Sequence, residues 1–353
     1  MATAHIASAA VTNTVVSLSE MVQGLYNHRS CCTLLFIARR HKGLIWCFYS
    51  EGKNMRAKNP VSERITLRRR IIYKVIRTLP QPIKKLLFFG HRHFCPVCQS
   101  RIRRFWRFVP HFDTWCPVCG SLERQRLVWI FLQQLTDFLS PRPKKLLHIA
   151  PEKALEKRFK QCANVQYLSG DLNPYLRGDL SPAMLRMDIT DIRQPHNSFD
   201  VIICNHVLMG IPNDRRAMQE FYRILKPGGF AVLTEPITTG KTFEDLTVVS
   251  PAERERVFGH HEYVRQYGLD ITDRLKEAGF SVRTFEEREL VQEDDLLRLG
   301  VLQCGFEDTA SLSQPLFYCE KRPTRTRNYP AIGCYGSDAQ LPREPVRLLG
   351  PAR

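Results

Sequence analysis

The sequence predicts an α/β fold, a mostly parallel sheet with helices on both faces, preceded by a small unit built on four cysteines. Three observations carry this. From Lys145 onward, strand-like and helix-like segments alternate, as parallel strands joined by crossover helices require. The tetrapeptide CPVC occurs twice, at Cys95–Cys98 and Cys116–Cys119. Between these regions "SLERQRLVWIFLQQLTDFL", Ser121–Leu139, reads as one helix, with Ser121 as its N-cap.

Length and charge bound the rest. The chain has 353 residues, 43% hydrophobic, enough for two domains or for one of about 200 residues with appendages. Its net charge of +17 is unevenly placed. Residues 1–110 carry 20 Lys/Arg against three acids, residues 321–353 carry seven against two, and the stretch between is slightly acidic. Such a basic front end suits nucleic acid, phosphorylated lipid or another anionic polymer; a solvated basic arm is the other reading. No run of about 20 apolar residues occurs, which argues against a membrane span. The longest approach, "CCTLLFIARRHKGLIWCFYS", is split by "ARRHK". Twelve cysteines, four of them paired in CPVC and several of the rest inside apolar runs, fit a reducing compartment with one metal site.

In chain order, residues 1–54 are rich in Ala, Ser, Thr and Val without a clear period. They read either as a targeting leader or as a non-native extension upstream of a start at Met55, and are expected to be disordered. Residues 55–92 hold a basic amphipathic segment, "RITLRRRIIYKVIRTLPQPIKKLLFF", ended by Pro80. It either lies on a membrane surface or packs its apolar stripe on the protein itself. Residues 93–120 form the cysteine unit and 121–144 a helix and linker. The main domain, 145–321, has seven expected strands: Leu146–Ile149, Val165–Ser169, a short one near Arg186–Met187, Phe199–Cys204, Phe230–Leu233, Ser281–Phe285 and Leu316–Cys319. Helices are expected at Lys153–Gln161, Arg215–Leu225 and Leu269–Ala278, with "KPGG" (Lys226–Gly229) as a stop and tight turn. Residues 322–353 read as a disordered basic tail.

The two CPVC pairs are separated by seventeen residues. Each Cys-x-x-Cys turn aims two thiolates at one point, and two such turns complete a tetrahedral S4 shell. The spacing predicts a zinc ribbon with Cys95, Cys98, Cys116 and Cys119 as ligands; a redox dithiol pair or an iron site is the alternative. Four thiolates leave no open coordination position, so the zinc would be structural. The intervening loop interleaves Arg101, Arg103, Arg104 and Arg107 with Phe105, Trp106 and Phe108. Such a pattern either holds phosphates and stacks bases, or covers the ribbon's core and docks it on the next domain.

"LLHIAPEKALEKRF" is a strand running directly into a helix, and its turn, Ala150, Pro151 and Glu152, has no glycine. The next strand ends at Asp171, about 20 residues on, where a carboxylate can accept from two ribose hydroxyls. Asp188 ends a third element, where it can accept from an adenine amino group.

"NSFDVIICNHVL" with "FYRILKPGGFAVLTEPI" resembles the class I S-adenosylmethionine-dependent methyltransferases, in the branch of type 11 methyltransferase domains. The resemblance covers about residues 145–320. "CPVCGSLERQR", "LLHIAPEKALEKRF" and "GHHEYVRQYGLDITDRLKEAGF" are similar to a subfamily in which a zinc ribbon precedes the domain and an Ala/Pro-Glu turn replaces the glycine-rich loop. The resemblance implies a Rossmann-like seven-stranded methyltransferase sheet and S-adenosylmethionine as cofactor. Its expected contacts are Ala150, Pro151, Glu152, Asp171, Leu172, Asp188, Ile189 and Asn205. The cofactor has no pyrophosphate for a turn to wrap, so the missing glycines are tolerable. Glu152 either attracts the cofactor's amino group or sulfonium, or is a first-turn helix acid. The subfamily's "HVLEHIP" is here "HVLMGIP", with Met209 and Gly210 in place of a polar pair that bears on acceptor choice.

His206 is the expected general base for an oxygen or nitrogen acceptor; shaping the adenine pocket is its other reading. His261, Arg265 and Tyr267 are expected at the acceptor pocket, Arg265 suiting an anionic acceptor. The alternative leaves His260 and His261 in solvent. Three functions follow: methyl transfer to a sugar or glycan, RNA methylation with the basic ribbon gripping phosphates, or a non-catalytic binding protein on the same fold. The expected location is cytoplasmic, with organelle targeting by residues 1–54 as the alternative.

Overall fold

The computed structural model describes residues 35–40, 43–48, 76, 78–109, 112–174, 184–302 and 314–323. The chain divides into two units, residues 1–69 and 70–353. In the first, β1 (Leu35–Arg40) and β2 (Gly43–Phe48) pair antiparallel from Leu35↔Phe48 to Arg40↔Gly43. The two apolar runs that "ARRHK" divides are the two arms of a hairpin, since aromatic and β-branched residues favour the extended backbone. The remainder of residues 1–54, all of 55–75 and the tail beyond 323 lie outside the described residues. Among the described residues no helix is long and apolar enough to cross a membrane.

In the second unit Ile76 and Thr78 are helical before Pro80, and α1 (Gln81–Leu87) follows it. Proline is well placed just before or inside a first helical turn, where its missing N–H has no helical partner to lose. The cysteine unit follows with β3 (His93–Cys95) paired to β4 (Ser100–Ile102), and β5 (Trp106–Val109) paired to β6 (Phe112–Trp115). Each CPVC is followed by a residue in the left-handed region, Gln99 at φ 53° and Gly120 at φ 82°, which turns the chain back after the second cysteine.

Next comes α2 (Glu123–Gln134). Its "LVWIFL" run is buried all round, because the helix is clamped between the cysteine unit and the sheet. Phe131 meets Phe285 and Tyr318, and Trp129 meets Phe159. The N-cap is Leu122, whose N–H donates to the Gln125 side chain, and Ser121 lies one residue earlier.

The main domain runs β7 (Lys144–Ile149), α3 (Lys153–Phe159), β8 (Val165–Asp171), β9 (Leu185–Arg186), β10 (Phe199–Asn205), a single 3₁₀ turn at Leu208–Gly210, α4 (Asp214–Ile224) and β11 (Leu225–Thr234). It continues with β12 (Phe243–Glu244), α5 (Pro251–Phe258), β13 (Arg265–Gln266), α6 (Ile271–Glu277), β14 (Ser281–Phe285), α7 (Glu287–Leu290), α8 (Glu293–Leu299) and β15 (Leu316–Glu320). The seven-stranded sheet has the order β14-β15-β11-β10-β7-β8-β9. Neighbours from β11 to β9 are parallel, whereas β15 runs antiparallel to both β11 and β14. The seven expected strands are these seven.

The period of two along each strand builds two cores. Val201, Ile203, Phe230 and Val232 face α2; Ile202, Cys204, Ala231 and Leu233 face α4 and α6. Strands buried on both faces read as continuous apolar runs, as "FDVIICN" does. The KPGG turn interrupts the register: Phe199 pairs with Leu225, then Val201 with Phe230, with Gly228 at φ 81° between.

The cysteine unit is welded to the main domain. The Arg126 guanidinium stacks on Phe105, and Phe105 lies against Gly300, the left-handed residue that ends α8. A Cβ at Gly300 would overlap the Phe105 ring. Gly300→Ala adds left-handed strain to that overlap and is expected to destabilise the protein by about 3 kcal/mol, read as a lowered urea midpoint with an unchanged slope.

Candidate functional site

The parallel strands deliver their carboxyl ends to one edge of the sheet, where open α/β sheets bind ligands. The turn after β7 shows how it manages without glycine. Ala150 itself takes the left-handed conformation, φ 44°, and its N–H donates to Gly170 O at 2.8 Å. A cavity of about 260 Å³ opens beside it. Ala150, Asp171, Leu172, Asp188, Ile189 and His206 line it, six of the residues singled out from the sequence. Both acids are held by short local bonds: Asp171 Oδ1 accepts from Asn173 N–H (2.8 Å), and Asp188 Oδ1 from Thr190 N–H (2.8 Å) and Oγ1 (2.7 Å).

Pro151, Glu152 and Asn205 lie outside that lining. The Glu152 carboxylate is neither turned to the cavity nor used as a cap for α3. It accepts from Arg124 Nη2 (2.9 Å), Gln125 Nε2 (2.7 Å) and Asn205 Nδ2 (2.7 Å). Asn205 in turn accepts from Thr234 Oγ1 at 3.0 Å. The turn is thus fastened to the first turn of α2 and to the ends of β10 and β11.

His206 also has a positive φ, 54°, with its N–H on Thr234 O (2.8 Å). Its Nε2 is buried without a hydrogen-bond partner among the described residues. Burial, then the Arg124 cation, holds its pKa well below the ordinary histidine range, so the ring is neutral at pH 7.

Glu235, at the end of β11, went unnoticed in the sequence. It is fully buried, and its Oε1 accepts from Val207 N–H (3.0 Å) and Leu208 N–H (2.8 Å), which fixes the backbone just after His206. Its Oε2 is buried without a partner among the described residues. Burial pushes its pKa up to about 8, against the pull of those two N–H groups and of Arg265 and Arg124.

The acceptor-side expectations need correction. Tyr267 is fully buried, its hydroxyl donating to Asp214 Oδ2 at 2.6 Å. Arg265 is buried too, donating to the Leu208, Ile211 and Pro212 carbonyls and to Glu244. Arg274 closes this group on Asp214 (2.8 Å) and Glu244 (3.0 Å). Four of its five N–H donors are met and the side chain is buried, so it braces residues 208–212 and is not presented to an anionic acceptor. His261 is exposed against His260 (ring centroids 4.2 Å apart) and does not line the cavity. Glu262 and Tyr263 do. Of the pair replacing the polar dipeptide, Met209 is buried in the core and Gly210 faces the cavity.

The four CPVC thiols converge, with Cys95 Sγ 3.7 Å from Cys119 Sγ and Cys98 Sγ 3.8 Å from Cys116 Sγ. Ser121 Oγ lies 3.3 Å from Cys95 Sγ and 3.2 Å from Cys119 Sγ, which explains why this serine does not cap α2.

Residues 143–233 match the family model described as "Methyltransferase domain". Over 107 residues the chain is 30% identical to phosphoethanolamine N-methyltransferase 1 of Arabidopsis thaliana, an alignment covering 29% of the chain and 19% of the relative. The chain thus spans about a fifth of that relative's length. Among solved structures, phosphoethanolamine N-methyltransferase 2 of Haemonchus contortus in complex with S-adenosyl-L-methionine is similar at 15% identity. That match has a TM-score of 0.40 and covers 62% of this chain and 55% of that one. The YcgJ protein of Bacillus subtilis is similar at 14% identity, with a TM-score of 0.37, over 56% of this chain and 99% of its own.

Glu235 yields a pH prediction. Its folded pKa, about 8, lies above the unfolded value of 4.5, so between the two the folded state holds the extra proton. Its contribution to stability is therefore present below pH 4.5 and is lost as pH rises towards 8. Glu235→Gln mimics the protonated acid, and its urea midpoint is expected to fall less than the wild-type midpoint between pH 5.5 and pH 8.

Proposed function

We propose, from the premise that residues 143–233 belong to the class I S-adenosylmethionine-dependent methyltransferases, that this chain binds S-adenosylmethionine in the cavity at the carboxyl ends of β7, β8 and β10 and methylates an oxygen or nitrogen acceptor. One observation carries the reading. Asp171 and Asp188 flank a single cavity together with the left-handed Ala150 and the unpartnered Nε2 of His206.

The donor set fits the cofactor. Asp171 offers acceptors for two ribose hydroxyls and Asp188 one for the adenine amino group, with Leu172 and Ile189 as apolar cover. When bound, the cofactor supplies an electrophilic methyl carried on a sulfonium. The protein's own work is to orient the acceptor in line with that methyl and to exclude water. His206 is neutral at pH 7, so its buried Nε2 can accept the acceptor's proton as the new bond forms. Glu235 positions that ring through the Val207 and Leu208 N–H groups. Glu262 and Tyr263 offer a polar wall, which suits a hydroxyl or amine of a sugar, glycan or similar polar molecule.

We assign one structural Zn2+ to Cys95, Cys98, Cys116 and Cys119. Zn–S arms of about 2.3 Å give a tetrahedron with edges of about 3.8 Å, which matches the thiol separations. These residues would hold the first turn of α2 through Ser121, and with it Arg124 and Gln125 against Glu152.

Calorimetric titration with S-adenosylmethionine and S-adenosylhomocysteine, with zinc quantified on the same sample, tests both readings. Micromolar binding with one zinc per chain is expected. Asp171→Ala should weaken binding at least tenfold, the scale of a lost bidentate charge-assisted hydrogen bond. A folded, zinc-loaded protein that binds neither ligand sinks the enzyme reading. His206→Ala should leave cofactor affinity within about twofold while lowering kcat by about 10²–10⁴. A chelator strong enough to strip the zinc should lower Tm and release the ribbon from Gly300.

A further inference from the structure

We propose that a cation-lined cleft, separate from the cofactor cavity and bounded by the cysteine unit, α1 and α3, binds the phosphate groups of a phosphorylated small molecule. The inference goes beyond the methyl-transfer reading and stands on different residues.

The cleft has a volume of about 440 Å³, within the range of small-molecule sites. Lys84 and Lys85 enter it from α1, and Lys153, Lys157 and Arg158 from α3. No Asp or Glu lines it. The arrangement arises because α3 sorts its charges. Glu152 is drawn to Arg124 and Gln125, and the buried Glu156 bonds Lys160 at 2.6 Å. Lys153 and Lys157 are left exposed on the cleft side. Lys157 donates to Gln81 at 2.7 Å, and Arg158 stacks on Trp129 with its Nε buried and unpartnered among the described residues.

The neighbouring cysteines do not cancel this charge. Cys98 and Cys119 reach the cleft, and a zinc bound by four thiolates carries a net charge of about −2. Five cations therefore still exceed it. Like charges gathered around one concavity repel, and the arrangement is relieved by a multivalent anion that several ammonium groups can share. Phosphate fits that description, and a diphosphate can span both walls. The cleft and the cofactor cavity have no lining residue in common, although the β7–α3 turn contributes Ala150 to one and Lys153 to the other.

The test is calorimetric titration of the full zinc-loaded chain with sodium pyrophosphate at fixed ionic strength. One-to-one binding is expected. The exposed double reversal Lys153→Glu/Lys157→Glu should weaken it about tenfold or more, and Lys85→Glu, on the opposite wall, should weaken it independently. S-adenosylhomocysteine affinity, measured on the same samples, should stay unchanged and so reports on the cofactor site separately. The proposal is overturned if pyrophosphate does not bind the wild type or binds the reversals equally. It is also overturned if a single-stranded oligonucleotide binds and pyrophosphate fails to compete.

Discussion

The fully buried guanidinium of Arg126 donates to the carbonyls of Thr114, Ser121 and Gly300 and to Ser121 Oγ, and lies flat on Phe105. It therefore joins the cysteine unit, α2 and the end of α8 at one point. A buried cation is tolerated only when its donors are met, and each of three carbonyls would lose a donor without it, Ser121 O keeping only Cys116 N–H. The site inherits its geometry from this anchor. Once Arg126 fixes the start of α2, Arg124 and Gln125 stand where Glu152 must be, and Glu152 holds Asn205 beside the cavity.

The cavity wall contains two residues that backbone sterics disfavour, Ala150 and His206, both in the left-handed region. Each costs on the order of 1 kcal/mol and persists only because surrounding bonds over-determine it. Ala150 is held through its N–H to Gly170 and His206 through its N–H to Thr234, while Glu235 fixes the next two amides. The absence of glycine after β7 is thus no loss of the turn. The smallest side chain with a Cβ takes the glycine conformation, and the fastened network around Glu152 absorbs the strain. The neutral His206 ring follows from the same enclosure, since burial and Arg124 both oppose its charge.

Much of this was legible in the sequence where the signal is local. The strands showed as apolar runs, the metal-type cluster as two CPVC turns, and Asp171 and Asp188 as acids ending strands. What failed depended on partners distant in sequence. Ser121 has the chemistry of an N-cap, yet its hydroxyl is engaged by thiols from both knuckles. Arg265 and Tyr267 look like pocket residues because polarity suggests exposure, but Asp214 and Glu244, from other segments, bury and satisfy them. Glu235 gave no sign in "LTEP" because its partners are amides nearly thirty residues earlier. The "ARRHK" interruption was read against a membrane span, while the same breaker between two β-forming runs marks a hairpin.

Charge shows the same limit in sharper form. By sequence the basic front end and the slightly acidic body look like separate territories. In the fold, α3 belongs to the acidic body yet turns its carboxylates inward and its lysines outward, towards the lysines of α1. A residue count along the chain averages these away, since Glu152, Lys153, Glu156 and Lys157 sum to nothing. The helical period of 3.6 separates them onto different faces. The inward face serves the turn beside the cavity at the strands' carboxyl ends, and the outward face makes the cleft cationic. One seven-residue helix with its N-cap thereby braces the turn beside one concavity and supplies cations to another.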